Sequence, residues 1–111
     1  MIEKTVLDYL NNQLSTIPAY MEKPEKIPVS YVIIQKTGGG MENQIWHGTF
    51  AIQSIAASLY EASALNDAVI AAMLNITETE DISACTLNSN YNYTDTRTKE
   101  YRYQAVFDLA W

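Results

Sequence analysis

The chain predicts an α+β fold: an antiparallel or mixed β-sheet of four to five strands packed against one long central helix and an N-terminal helix. Three observations predict it. Ile2, Val6, Leu10 and Leu14 recur every four residues at the start of the chain. A period of two over Trp46, Phe50 and Ile52 then passes into spacings of three and four over Ala62, Leu65, Val69, Ala72, Met73 and Ile76. The final segment alternates again, with Tyr101, Tyr103, Ala105, Phe107, Leu109 and Trp111 on one face. Successive side chains alternate across a strand and return every three to four residues on a helix, so the two periods separate the elements.

Taken in order, the first stripe is an amphipathic helix with Ile17 following it and Glu3, Lys4, Asp8, Asn11 and Asn12 on other faces. It must stop before Pro18, because the residue preceding a proline is pushed out of the helical region. All three prolines, Pro18, Pro24 and Pro28, lie in one stiff, exposed connector with Glu22, Lys23, Glu25 and Lys26. Ala19 to Glu22 within it suits a short edge strand. Ser30 to Lys36 is β-rich, and its continuous apolar run Tyr31 to Ile34 predicts cover on both faces. Thr37 to Asn43 holds three of the four glycines and is expected to be a mobile hairpin loop. A phosphate cradle would need a helix directly after the glycines, whereas a strand follows.

In the strand from Trp46, Gly48 and Ser54 are gaps on the apolar side, and His47, Thr49, Ala51 and Gln53 face away. Ser58 and Glu61 then form a capping box. Glu61, Asn66 and Asp67 are placed off the apolar face of the helix that follows. Thr77 to Asp81 is an acidic connector lacking the calcium-loop pattern. Ile82 to Thr94 and Tyr101 to Trp111 make the last strand pair, with Asp95 to Glu100 as its loop. The earlier strand begins apolar (Ile82, Ala84, Cys85, Leu87) and becomes polar and aromatic outward, through Tyr91 and Tyr93. Thirteen extended residues reach about 40 Å, so this hairpin is expected to project, and its exposed edges are expected to be covered by another subunit.

The 111 residues are expected to form a single domain, 1–111, of radius of gyration near ~13 Å, with 48% hydrophobic residues to build a core. Seven basic against thirteen acidic residues leave a formal charge of −6, the wrong sign for neutralising phosphates. The lone Cys85 allows no internal disulfide, which favours cytosolic folding. No apolar run has the length of a membrane span, and Glu3 and Asp8 disagree with a secretion signal.

Reaction chemistry finds little support. Nucleophilic catalysis needs a base beside the nucleophile, and the only histidine, His47, is predicted on a different strand from Cys85. One histidine and one cysteine cannot make an ordinary transition-metal site. No catalytic residue, cofactor or metal ligand is assigned. Eight tyrosines, four of them (Tyr91, Tyr93, Tyr101, Tyr103) flanking the last loop, point instead to a contact surface, since tyrosine combines apolar area with a hydroxyl.

The order of features resembles a known family. Tyr9-Leu10 in the first helix is followed by Met21-Glu22-Lys23-Pro24, then by Pro28-Val29-Ser30-Tyr31-Val32-Ile33-Ile34-Gln35-Lys36-Thr37-Gly38-Gly39. Ile52-Gln53-Ser54, Ser58-Leu59-Tyr60-Glu61-Ala62 with Leu65, and Tyr101-Arg102-Tyr103-Gln104-Ala105-Val106-Phe107 complete the series. Together these look like the small tail-terminator, or tail-completion, proteins of long-tailed phages and prophages of Gram-positive bacteria. The resemblance covers nearly the whole chain and lies in order and spacing, not in one motif. Small neck and head–tail joining proteins share similar patterning.

The resemblance implies a structural subunit of the virion, assembled in the host cytoplasm and placed at the tail–head junction. There it closes into a typically six-fold ring, caps the tail tube and offers a docking surface to a head-completion or connector protein. It implies no cofactor and no membrane, and DNA passing through the ring without specific binding. Within that reading Thr37, Gly38, Gly39, Gly40, Met41, Glu42 and Asn43, together with Tyr91, Tyr93, Asp95, Arg97, Lys99 and Tyr101, are the expected interface residues. The rivals are a monomeric module binding a peptide or glycan through the tyrosine-rich hairpin, and a small enzyme.

Overall fold

The computed structural model describes residues 1–111. Helix α1 (Ile2–Leu14) leads through a two-residue strand β1 (Ala19–Tyr20) to the long strands β2 (Tyr31–Glu42) and β3 (Ile45–Ala56). Helix α2 (Leu59–Leu74) and a 3₁₀ turn (Ile76–Glu78) follow, then β4 (Ala84–Asn92) and β5 (Tyr101–Ala110). The fold is α+β: one five-stranded mixed sheet, ordered β1-β2-β3-β5-β4, with both helices against one face. Only the β1–β2 pairing is parallel.

The register explains the core. Val32 and Ile34 of β2, Phe50 and Ile52 of β3, and Ala105, Phe107 and Leu109 of β5 share the helix-side face and are buried. Val6 and Leu10 of α1 and Ala62, Leu65, Val69 and Met73 of α2 close over them. The Tyr9 hydroxyl donates to the Ala72 carbonyl oxygen at 2.7 Å, tying α1 to α2. Burial raises the Tyr9 phenol pKa, and the charge of Glu78 adds to it. The Ser58 hydroxyl caps α2 by accepting from the Glu61 amide at 3.1 Å, which is one half of the expected capping box.

Helix α1 ends at Leu14, where Ser15 turns left-handed at φ 47°, three residues before Pro18. Cover on both faces of the Tyr31–Ile34 run arises in an unusual way. The reverse face has no helix; Tyr20 packs edge-on against the Tyr31 ring, and the Lys23–Glu100 pair at 3.3 Å holds the connector and the last loop together nearby. Tyr31 is thereby 2% exposed.

Several expectations are corrected. Thr37 to Asn43 is not a mobile loop: β2 runs through the glycines to Glu42, and the turn is only Asn43-Gln44, both at positive φ (51° and 63°). Two such residues match the right-handed twist of the flanking strands, which is why hairpins favour this turn. Strand β5 accompanies β3 as far as Trp46, whose backbone bonds Trp111, so only Glu42 to Ile45 reach beyond it. In the tyrosine-rich pair, β4 is confined to Ala84–Asn92 within the expected 82–94, and the Asp95–Glu100 bridge carries its loop past the Tyr101–Ala56 pair. Asn66 is not on a solvent face but 2% exposed against the sheet, where its amide reaches Asn90 Oδ1 at 3.4 Å. Trp46 lies on the expected face of β3 yet is half exposed.

Helix length explains Trp46. The sixteen residues of α2 span about 24 Å, whereas the twelve of β3 span about 40 Å. With the helix starting at the Ala56 end of β3, the sheet outruns it at the other. The molecule accordingly measures 44 × 25 × 25 Å, with a radius of gyration of 13.7 Å.

Two glycines in the hairpin are set by sterics: a β-carbon on Gly48 would stand 2.7 Å from the Trp111 ring, and Gly39 meets backbone. A β-carbon on Gly39 would stand 2.7 Å from the His47 carbonyl oxygen, whereas at Gly38 and Gly40 nothing lies within 4 Å. Gly39→Ala is expected to cost about 1–3 kcal/mol through forced separation of β2 from β3. Gly38→Ala and Gly40→Ala are expected to be neutral or to stabilise by about 0.4–1 kcal/mol through the unfolded chain. Urea denaturation of the three variants checks this; equal effects at all three would refute the steric assignment.

Candidate functional site

The candidate interface residues fall into two groups that the fold places far apart. Thr37 to Glu42 form the outer half of β2, and Asn43 begins its turn. Tyr91 lies in β4, Tyr93 just beyond it, Asp95, Arg97 and Lys99 in the following loop, and Tyr101 opens β5. The register pairs Tyr101 with Ala56 at one end of β3 and Met41 with Trp46 at the other. The two groups thus occupy opposite ends of the long axis and cannot form one continuous site.

Each group adjoins an open strand edge. Strand β4 ends the sheet on one side and bonds only to β5. On the other side β1 pairs with just Val32 and Ile33, and Pro18 accepts from the Val32 amide at 3.0 Å, so β2 beyond Ile33 has an open outer edge. Open N–H and C=O rows are templates for another strand, which proteins blunt with bulges and polar side chains. Both edges carry a register shift, between Lys36 and Gly38 in β2 and between Leu87 and Ser89 in β4. Such irregularities twist a strand and select what can pair with it.

The sheet face away from the helices is a polar lattice. Thr49 donates to Asp108 at 3.0 Å, and Asn88 donates to the other Asp108 oxygen at 3.0 Å. Gln53 bonds Gln104 at 3.2 Å, and Gln104 in turn donates to the Tyr91 hydroxyl. Arg102 stacks its guanidinium 4.8 Å from the Tyr93 ring centre and donates to the Tyr93 carbonyl at 2.7 Å. Tyr91 and Tyr93 meet edge-on with ring centres 5.9 Å apart, and each remains roughly two-fifths exposed (42% and 43%). These tyrosines are held rigidly, so presenting them to a partner costs little further side-chain entropy.

The loop beyond them is also ordered. Asp95 accepts from the amides of Arg97 (3.0 Å) and Thr98 (3.4 Å), and Asp95 bridges to Glu100 across the turn. The Arg97 amide is the first cause holding the Asp95 carboxyl below its ordinary range. Lys99 sits at φ 55°. Glu100 pairs with Arg102 at 2.9 Å as well as with Lys23, so the loop is tied to the body.

The fold keeps the candidate nucleophile and base apart. Cys85 lies on the helix side of β4 and His47 on the reverse side of β3, with β5 between the two strands. Burial, and then the charge of Asp108, push the Cys85 thiol up to about 11, so it stays protonated at neutral pH. No three His, Cys, Asp or Glu side chains converge as metal ligands would. No helix is long and apolar enough to cross a membrane.

Sequence reasoning missed one feature, an apolar groove between the end of α1 and the start of α2, lined by Leu14, Ile17, Tyr60, Ala64, Leu65 and Ala68. Its signal was present in Tyr60, Ala64 and Ala68, apolar side chains outside the core stripe of the helix. No family model matches the chain, and no curated protein shows significant similarity to it.

Proposed function

We propose that this chain is the tail-terminator subunit of a long-tailed phage or prophage, closing into a ring that caps the tail tube and docks the head. The observation that supports this reading best is the pair of unpaired edges on opposite sides of one sheet, β4 and outer β2. Different surfaces at opposite sides make a heterologous contact, which closes into a ring when its rotation allows. The resemblance supplies the six-fold symmetry, the tail-tube protein and the head-completion protein as partners. A net charge of −6 suits a lumen through which DNA slides without adhering, because like charges repel.

The test is electron microscopy of the purified protein, alone and mixed with assembled tail tubes. Annular particles that sit on tube ends and halt tube growth are the expected result. A strict monomer at high concentration, with or without tail-tube protein, would overturn it. The exposed, rigid Tyr91–Tyr93 pair favours one second reading, a monomeric module that binds a peptide or glycan through the reverse face of the sheet.

A further inference from the structure

We infer that the apolar tip of the β2–β3 hairpin plugs into the α1–α2 groove of a second copy of this chain, so that each subunit carries a plug at one end and a socket at the other. The inference rests on the self-assembling reading above and names a subunit contact distinct from the open strand edges.

The plug consists of Met41 and Trp46, which face each other across the hairpin on the helix side, with Ile45 flanking them on the reverse. They are 52%, 49% and 46% exposed. Apolar side chains of this size, clustered and half exposed at one end of the sheet, are the residues that fill pockets at interfaces. The socket is a groove of about 450 Å³ walled by the six apolar side chains named above. Ser30 also borders it, at the base of β2, whereas the plug lies at the far end of the same strand. An extended strand of about 40 Å separates them, so no chain can fill its own groove. A second copy presents both halves.

Charge favours the same occupant. Glu61 is the only charged residue lining the groove. Lys36, whose ammonium stands 5.4 Å from the Trp111 ring centre, is the only charged side chain on the helix-side face of the hairpin. Two copies that repel overall, each at −6, thus carry one attractive pair at this contact.

Three half-exposed side chains fall well short of the roughly 800 Å² per partner typical of a stable complex. One plug–socket contact is therefore weak. A closed ring, in which every subunit is used twice, raises the effective concentration of each contact.

The experiment is sedimentation analysis of the full chain with Trp46→Ser, which disables the plug, and Ala64→Arg, which blocks the socket at an exposed helix position. Met41→Ser serves as a second plug variant, and circular dichroism verifies folding. The wild type is expected to assemble, and each variant to lose association at least about tenfold. Their equimolar mixture, at roughly 1 mM where a single weak contact is populated, is expected to form dimers and stop, since only one live plug and one live socket remain. Lys36→Glu is expected to weaken association, and Lys36→Glu with Glu61→Lys to restore it. Variants that assemble like the wild type, or a mixture or a wild type still monomeric at roughly 1 mM, would each overturn the inference. Dimers from the mixture without annular wild-type particles would leave the plug–socket contact standing and remove the tail-terminator reading.

Discussion

Phe107→Ala is expected to lower stability by about 3–5 kcal/mol. For a domain of this size that is a large share of the about 5–15 kcal/mol that separates folded from unfolded chains. Phe107 is fully buried on the central part of β5, directly across from Phe50 of β3, which is also fully buried. Phe50 in turn meets the Trp111 ring edge-on, with centres 6.5 Å apart. Removing one ring strips contacts from the other and leaves a cavity that two rigid strands cannot collapse to fill. The midpoint of urea unfolding checks the effect, and the double variant with Phe50→Ala should deviate from additivity because the two residues are direct cross-strand partners. Phe107→Leu, which keeps much of the volume, is expected to cost less than the alanine change. A loss below about 1 kcal/mol for alanine, the range of surface changes, would mean that the helices do not press on this face of the sheet.

Asn66→Asp is expected to destabilise by several kcal/mol at neutral pH, with a pH dependence that identifies the cause. Asn66 lies on the buried face of α2, and its Oδ1 has no hydrogen-bond partner while its amide reaches Asn90. A carboxylate there would lose its hydration, and the donor formerly offered to Asn90 would be gone. Burial raises the pKa of such a group in the folded state above its unfolded value near ~3.9. The folded form then holds the proton more tightly, so stability is least affected below pH ~4 and falls as pH rises toward the folded pKa. Unfolding free energies measured for variant and parent between pH 3.5 and 8 should diverge in that direction. A constant difference across the range would show that the side chain is hydrated and that α2 does not seal this position. Asn66→Ala, which introduces no charge, should lack the pH dependence altogether.

Much of the architecture was legible before any coordinates. Ile2, Val6 and Leu10 announced α1, Ser58 announced the start of α2, and the alternation from Ala105 to Leu109 announced β5, because each pattern arises from the geometry of a single element. The short edge strand at Ala19 was legible because proline leaves few other roles for such a segment. Asn66 was misplaced because burial depends on what lies opposite, here the polar Asn90, and a helical period assigns polar residues outward by default. The glycine-rich segment was misread for a similar reason. Gly39 looks like loop chemistry locally, yet it is required because the β3 backbone passes too close for a β-carbon. The candidate interface residues belong to two loops and the tyrosines flanking the second; whether they lie together cannot be read from spacing, since it depends on the strand order.

By itself, then, the amino-acid sequence determined the fold class, the two helices, the apolar centres of the long strands and a net negative charge. These follow from periodicity, caps and charge, which act over a few residues. Only the tertiary structure decided that the sheet outruns its helix, that its two open edges lie on opposite sides, and that an apolar tip and an apolar groove stand at opposite ends. Those features come from the mismatch between a helix rising 1.5 Å and a strand rising about 3.3 Å per residue, and from a strand order that brings β5 between β3 and β4. Neither is written in any local stretch of residues.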